Sequence, residues 1–332
     1  MTTDKREGPV TSRDVARAAG VSQSAVSRAF ARAPGVSEPT RARILEVAAR
    51  LGYQPNALAS GLITRKSGMV GVVLSQLTNP FLAEATQCLL DALRGSGLQV
   101  LAFSAGNGRD LEAATSEFGR YRVDGCFVIS PHLPRDTARM YDRLGPTVIL
   151  FNRKVPGLDA SAVCVDNISG GRLVADHLIG RGHRRFGYVH GIPGAATDSD
   201  RFEGFCKALA DAGIPPPVEA DGAYGYEDGA NAAHRLLAGD DRPTALFCAD
   251  DVMAMGAMDA ARHALGLRVP EDVAIMGFDD ATSASWPSYD LSTVRQPTGA
   301  MVTAAVEMMA AGTGQRPTTR TFPSELVIRG SA

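Results

Sequence analysis

Two kinds of hydrophobic patterning divide the chain. Residues 11–52 carry short helical periodicities and no strand-like runs. Thr11 or Ser12 can cap a first helix whose inner face is Val15, Ala16 and Ala19. Gly20 follows as a turn residue able to take positive φ. Ser22 is a second N-cap candidate, and Val26 and Phe30 share one face of the helix after it. Pro34 and Gly35 break that helix; Ser37, with Pro39 soon after, starts a third carrying Ile44, Leu45, Ala48 and Leu51, and Gly52 ends it. Residues 53–68 read as a linker with one short helical stretch, in which Asn56 can cap Ala57 to Leu62.

From Met69 onward short apolar runs alternate with helix-length amphipathic stretches. The runs are Val70–Leu74, Val100–Phe103, Cys126–Ile129, Val148–Phe151, Val163–Val165, Phe186–Val189, Ala245–Cys248 and Val273–Gly277. The helical candidates are 80–94, 110–122, 169–181, 200–212, 228–238 and 252–265. Runs buried on both sides and alternating with helices indicate parallel sheets wrapped by helices. Two such halves with a ligand between them are a natural outcome for a segment of this length.

Composition sharpens this picture in three ways. The 332 residues suit two or three domains, and 45% hydrophobic with 21% charged residues excludes global disorder. The net charge of -2 hides an asymmetry: residues 1–66 hold 11 Lys+Arg against 5 Asp+Glu, and the remainder hold 23 against 31. A basic head on an acidic body points to an anionic partner for the head alone. The five cysteines, Cys88, Cys126, Cys164, Cys206 and Cys248, are far apart and form no CxxC pair, which argues against a zinc cluster and for a reducing compartment. The N-terminus has no apolar signal-peptide core and no 18-residue apolar run occurs, so a cytoplasmic protein without a membrane partner is expected. Neither HExxH, nor a Walker loop, nor a GxSxG elbow is present, and no enzyme, cofactor or metal is expected.

Helix, glycine turn and capped helix over residues 12–30 is the helix-turn-helix layout. Ala16 is small enough for close helix approach, Val21 plugs the turn and Val26 anchors the second helix. Gln23, Ser24, Ser27 and Arg28 are left on the outer face near the start of that helix, where base-reading side chains are presented. Glutamine can bond adenine bidentately, and arginine can grip guanine or a phosphate.

The stretch Asp14-Val-Ala, Ala19-Gly-Val-Ser, Val26-Ser-Arg resembles the lactose-repressor (LacI/GalR) family of bacterial transcription regulators. Further marks run along nearly the whole chain: Val36-Ser-Glu, Leu51-Gly-Tyr-Gln-Pro-Asn-Ala-Leu-Ala, Asn79-Pro-Phe, Val123-Asp-Gly, Gly182-His-Arg-Arg, Asp251-Val-Met-Ala-Met-Gly-Ala, Gly277-Phe-Asp-Asp and Thr293-Val-Arg-Gln-Pro. The resemblance implies an all-α helix-turn-helix headpiece over residues 1–54 and a hinge helix and linker over 55–68. It further implies an α/β two-lobed, periplasmic-binding-protein-like (type I) effector domain over 69–332. The N-lobe would hold about 69–165 and 296–323, and the C-lobe about 166–293 and 324–332.

For DNA, the resemblance implies a homodimer on a pseudo-palindromic double-stranded operator. Gln23 and Ser24 match the main base-reading positions and Arg28 a further contact, while Ser22 and Ser27 would hold phosphates. Asn56 and Ala59 match minor-groove contacts of the hinge, and Leu62 matches an apolar wedge that kinks the central base step. Gly61 is a departure, costing about 1 kcal/mol relative to alanine within a helix, so the hinge is expected to be helical mainly on DNA. The chain ends soon after its last expected strand with no heptad segment, so a dimer is expected and not a helix-bundle tetramer.

For the effector, the resemblance aligns Arg201 with a sugar-contacting arginine, Asp279 with a cleft aspartate and Tyr224 with a ring packed on the ligand's apolar face; Phe81 and Trp286 are further wall residues. Two positions depart: Asp250 replaces an asparagine, and Asn152 stands where the lactose repressor has aspartate. An ionised aspartate only accepts hydrogen bonds, whereas asparagine does both. The extra acid favours a neutral polyol or an amino-bearing ligand; a sugar acid would need Arg201, with Arg153, to offset two carboxylates. The resulting expectation is a repressor whose operator affinity is set by a sugar-like small molecule. A transporter's solute-binding protein and a sugar-modifying α/β enzyme are the alternatives. The first would carry a signal peptide and lack the basic head; the second would need a catalytic constellation.

Overall fold

The computed structural model describes residues 10–31, 33–54, 67–105, 108–129, 147–155, 158, 160–312 and 316–332. The chain divides into two compact units, Met1–Gly68 and Met69–Ala332.

The first unit contains α1 (Ser12–Ala19), α2 (Gln23–Phe30) and α3 (Glu38–Leu51). The Asp14 carboxylate accepts hydrogen bonds from the Thr11 amide (3.1 Å) and hydroxyl (2.7 Å), which fixes the start of α1. Gly20 ends it at φ 64°, a left-handed conformation that glycine enters without strain. The Ser22 hydroxyl caps α2 by accepting from the Ala25 amide at 3.2 Å. Val15, Ala16, Ala19, Val26, Ala29, Ile44, Val47 and Ala48 form the buried centre. Half of these are alanines, so the core is filled by bringing short helices close together.

The second unit opens with β1 (Met69–Leu74), α4 (Pro80–Gly95), β2 (Gln99–Ser104), α5 (Gly108–Tyr121), β3 (Gly125–Ile129), β4 (Thr147–Phe151) and β5 (Ser161–Val165). It continues with α6 (Asn167–Gly180), β6 (Phe186–His190), α7 (Ala196–Asp211), β7 (Val218–Asp221), α8 (Tyr226–Leu237), β8 (Ala245–Cys248), α9 (Asp251–Asp259) and β9 (Ala274–Met276). The last elements are β10 (Thr293–Arg295), α10 (Thr298–Ala311), β11 (Thr319–Phe322) and β12 (Glu325–Val327).

Two parallel sheets result. One has the order β11-β5-β4-β3-β1-β2 and the other β7-β6-β8-β9, while β10 and β12 form a separate antiparallel pair. The chain therefore leaves the first sheet after β5, returns to it by α10 and β11, and crosses back at β12. All the apolar runs read from the sequence are strands. The central ones, such as β3 and β8, are buried at every position, as expected of strands covered on both faces.

The six helices expected after Met69 are all present, most of them starting one to four residues earlier than the apolar repeat suggests, while the expected stretch Ala57 to Leu62 lies outside the described residues. Sequence patterning missed α10: Met301, Val302, Ala304, Ala305, Met308 and Met309 are buried, leaving little polar face to reveal a period. It also missed β7, β10, β11 and β12, which are short and largely exposed or three residues long.

Close helix packing within the second sheet's layers depends on glycine. A Cβ on Gly171 of α6 would overlap the Arg201 carbonyl oxygen, and one on Gly204 of α7 would overlap that of Ile168. The two helices are in backbone contact there, and this contact places Arg201.

Candidate functional site

The cleft lies where strands of both sheets end. It spans about 420 Å³, open solvent included, and is lined by Gln76, Asn79, Phe81, Leu82, Phe151, Asn152, Thr197, Arg201, Tyr224, Asp250 and Asp279. Gln76 follows β1, Asn152 follows β4 and Asp250 follows β8. Asn79, Thr197 and Asp250 stand at the beginnings of α4, α7 and α9. Carboxyl ends of parallel strands are where open α/β sheets bind ligands. Gln76, Asn152, Tyr224 and Asp279 all have positive φ (50°, 56°, 60° and 121°). Non-glycine residues held there store backbone strain, a feature concentrated at binding sites.

Phe81, Leu82, Phe151 and Tyr224 supply apolar surface, and the Tyr224 hydroxyl lies 3.2 Å from that of Thr197. Arg201 is the one cation among the described lining residues. It is almost fully buried, donates from Nε to Asn167 Oδ1 (2.9 Å), bonds the Ala249 carbonyl, approaches Asp279 Oδ1 at 3.4 Å and stacks on Phe278 at 3.6 Å. Most of its donors are spent on the protein, so Arg201 organises the floor as much as it faces the cleft.

Asp279 Oδ1 also accepts from Gln296 Nε2 at 2.6 Å. Burial pushes the Asp279 carboxyl up to about 6, against the pull of Arg201. Asp250 rises to about 7, through burial first and then the neighbouring Asp279. The Asn152 side-chain oxygen is buried and accepts no hydrogen bond from the described residues. The cleft is thus rich in acceptors, and complements a ligand that presents hydroxyl or amino donors.

In each aspartate pair, the second member is structural. Asp251 accepts from the Thr293 hydroxyl (2.5 Å) and the Ala281 amide (2.9 Å). Asp280 pairs with Arg295 at 2.7 Å and Arg329 at 2.6 Å. These bonds bind the crossing segments to the ends of β8 and β9. They thereby hold Asp250 and Asp279 in place.

In the first unit Gln23, Ser24, Ser27 and Arg28 are presented on α2 while Val26 and Ala29 are buried beneath them. Ser22 and Ser24 share a hydrogen bond at 2.9 Å, and Gln23 Nε2 donates to Ser12 Oγ at 2.9 Å. Gln23 is therefore held across the turn, above the start of α2.

Residues 11–56 match the family described as "Bacterial regulatory proteins, lacI family", and residues 175–332 match a periplasmic binding protein-like domain. The "HTH-type transcriptional repressor PurR" of Yersinia pestis (strain Pestoides F) is 32% identical over 292 residues, 86% of this chain and 85% of that protein. The chain belongs to the lacI family of bacterial regulatory proteins.

Solved structures agree. A complex of the transcriptional regulator CelR with cellobiose is 30% identical, covers 97% of this chain and 100% of that one, and has a TM-score of 0.72. The lac repressor dimer bound to operator and the anti-inducer ONPF is 26% identical, covers 98% and 99%, and has a TM-score of 0.85. This lacI-family protein is accordingly a DNA-binding regulator of transcription controlled through a ligand, and the resemblance read from its motifs holds along its length.

The structure brings six of the expected effector residues into one cleft: Phe81, Asn152, Arg201, Tyr224, Asp250 and Asp279. It does not bring Trp286, which follows the single turn Thr282–Ser285 and is 55% exposed. That turn ends in an extended residue, so the indole projects from the surface. Arg153 is buried but not among the lining residues, and burial lowers its guanidinium to about 10. Asn56, Ala59 and Leu62 lie outside the described residues. Gln76, Asn79, Leu82, Phe151 and Thr197 line the cleft without having been expected there. Asn79 before Pro80 is readable as a helix start, but nothing local shows which cleft a helix start faces. His183, in the turn before β6, bonds the Thr244 hydroxyl at 3.0 Å, a structural role. Among the described residues no cluster is placed to hold a metal, and no helix is long and apolar enough to cross a membrane.

Proposed function

We propose that this regulator is a cytoplasmic homodimeric repressor that binds a pseudo-palindromic operator through the exposed face of α2, and whose operator affinity is set by a hydroxyl-rich, sugar-like molecule in the cleft. The observation that carries the effector class is the cleft itself: aromatic and aliphatic walls with convergent acceptors and, among the described residues, an unbonded Asn152 oxygen and a single guanidinium against two carboxyl groups. The CelR–cellobiose complex and the operator-bound lac repressor dimer support both halves of the reading. Gln23, Ser24 and Arg28 read bases, Ser22 and Ser27 meet phosphates, and Asn56, Ala59 and Leu62 contact the minor groove. A ligand changes operator affinity by as much as it prefers one lobe arrangement over the other.

The test is a thermal-shift screen of the full-length protein against neutral sugars, amino sugars, sugar acids and nucleobases. A ligand at 100 times its dissociation constant stabilises the folded state by about 2.7 kcal/mol. The expected hit is a neutral or amino sugar that also changes operator affinity in a mobility-shift assay. A hit confined to sugar acids would overturn the assignment. On the DNA side, Gln23→Ala should relax base preference at one operator position, whereas Arg28→Ala should weaken binding broadly and lower its salt dependence.

A further inference from the structure

Two helix caps meet across the cleft. Asn79 ends the loop after β1 and begins α4, which packs on the first sheet; its Oδ1 accepts from the Leu82 amide at 3.3 Å. Asp250 follows β8 of the second sheet and begins α9; its Oδ1 accepts from the Met253 amide at 2.8 Å. The remaining atoms of the two caps face each other, and Asn79 Nδ2 donates to Asp250 Oδ2 at 2.9 Å. Both residues are buried, at 8% and 1% exposure. One hydrogen bond to a carboxylate thus joins the helix that follows the first strand of one lobe to the helix that follows β8 of the other. A second contact lies beside it, where the Thr282 amide donates to Glu84 Oε1 of α4 at 3.0 Å.

The donor–acceptor order of this pair is dictated by the caps. Asn79 must turn its oxygen toward Leu82 to cap α4, so only its amide nitrogen can reach across. Whatever stands at position 250 must likewise turn an oxygen toward Met253. An asparagine there would then present its own NH2 to that of Asn79, donor against donor. Aspartate presents a second oxygen. The acidic residue at position 250 is therefore explained by Asn79, and Asp250 has both oxygens engaged by the protein itself.

We propose that Asn79 and Asp250 form a clasp that holds the two lobes together, with Asn79 acting as the positioning residue for Asp250. The clasp rests on reading the cleft as the effector site only for its biological meaning; the contact itself is between two residues of the chain. A ligand that competes for Asp250 releases the lobes, whereas one that fits beside the bond is enclosed by it.

The caps make a swap possible. In the double variant N79D/D250N, the carboxylate now at position 79 caps Leu82 with one oxygen and accepts with the other. The carboxamide now at position 250 caps Met253 with its oxygen and donates across. Each single variant keeps both caps but sets like groups against each other: two donors in D250N and, at pH 8 where the exchange is measured and Asp250 is above its pKa of about 7, two carboxylates in N79D. The experiment is amide hydrogen exchange by mass spectrometry on the full-length, effector-free protein for wild type, both singles and the swap. The readout is exchange in a cleft-lining segment away from both substitutions, residues 149–153. Loss of a hydrogen bond to a charged partner should speed exchange there about tenfold in each single variant, and the swap should return it to the wild-type rate. A swap no better protected than the singles, or singles that change only residues 79–83 and 250–254, would show a local cap contact and overturn the clasp. Misfolding of a single variant leaves the swap decisive. Because no ligand is used, a failed ligand screen and a failed clasp are separate results.

Discussion

Arg201 is the residue a ligand-binding study would remove first, and the structure says that doing so disturbs far more than a ligand contact. Arg201→Ala leaves the Asn167 oxygen and the Ala249 carbonyl without these donors and deprives Asp279 of its guanidinium. It also empties the space above Phe278. Removing one partner of a buried ion pair costs about 3–5 kcal/mol. The orphaned acceptors belong to the same desolvated site, so their penalties are contained in that figure. At roughly 2–4 °C per kcal/mol for a body of this size, melting should fall by about 10 °C. The loss has a definite pH dependence. Asp279 already sits at about 6, and without Arg201 its carboxyl rises further; a protonated Asp279 tolerates the loss, an ionised one does not. The deficit relative to wild type should therefore be larger at pH 8 than at pH 6. Thermal unfolding of full-length wild type and variant at both pH values tests this. An Arg201→Ala protein that melts within about 2 °C of wild type at pH 8 would refute the structural role of Arg201. For probing the ligand, Tyr224→Phe is the gentler choice, since it keeps the ring and removes only the hydroxyl contact with Thr197.

The helix contact beneath Arg201 and the acids around it lead to two further expectations. Gly171→Ala or Gly204→Ala drives a methyl group into backbone that cannot rotate away, so each should destabilise the body by about 1–3 kcal/mol or more in chemical denaturation, whereas Gly180→Ala, with open space around it, should stay within about 1 kcal/mol of wild type. Stability should also decline as pH rises from about 4 to 7: Asp250 and Asp279 hold their protons to about 7 and about 6 in the folded protein, longer than in the unfolded chain, so folding takes up protons over this interval and is favoured at its acid end. His190 adds to the same slope; burial lowers its pKa, but hydrogen bonds to Asp198 and Glu219 outweigh that and raise it, so its contribution is complete below its unfolded pKa and is lost as pH rises through the folded value. His177 and His183, whose pKa values burial lowers, act in the opposite sense, so equilibrium unfolding in urea across pH 5 to 8 compares wild type with Asp250→Asn; a variant slope no shallower than that of wild type would contradict the protonation pattern of the cleft.

Much of the architecture is legible because it is written in short-range chemistry. The strands β1, β3 to β6, β8 and β9 show themselves as apolar runs, since strands buried on both faces must be apolar at nearly every position, and the half-exposed edge strand β2 keeps only a short run, Val100–Phe103. The helix-turn-helix is legible in Gly20, Ser22 and Val26, which act on their own immediate neighbours. The cleft residues named in advance are those at strand ends and helix starts, which are local features, and the family motifs mark them.

What the sequence does not decide are the pairings across space. Residue type and periodicity do not separate Asp250 from Asp251 or Asp279 from Asp280, and only the family motifs pick the first of each; the structure shows why, since one of each faces the cleft and the other binds a crossing segment 15 to 49 residues away in the chain. Trp286 suits a cleft wall by residue type, yet the turn before it directs the ring to the surface. The helix α10 is hidden by its own burial, and its place against the first sheet emerges only once the chain returns there. Asn79 and Asp250 stand 171 positions apart, and only the folded lobes bring their two caps within 2.9 Å. Sequence determines which elements form, because their stability is settled within a few residues; the tertiary structure decides which of their polar ends meet, because a hydrogen bond depends on distance and direction that periodicity does not encode.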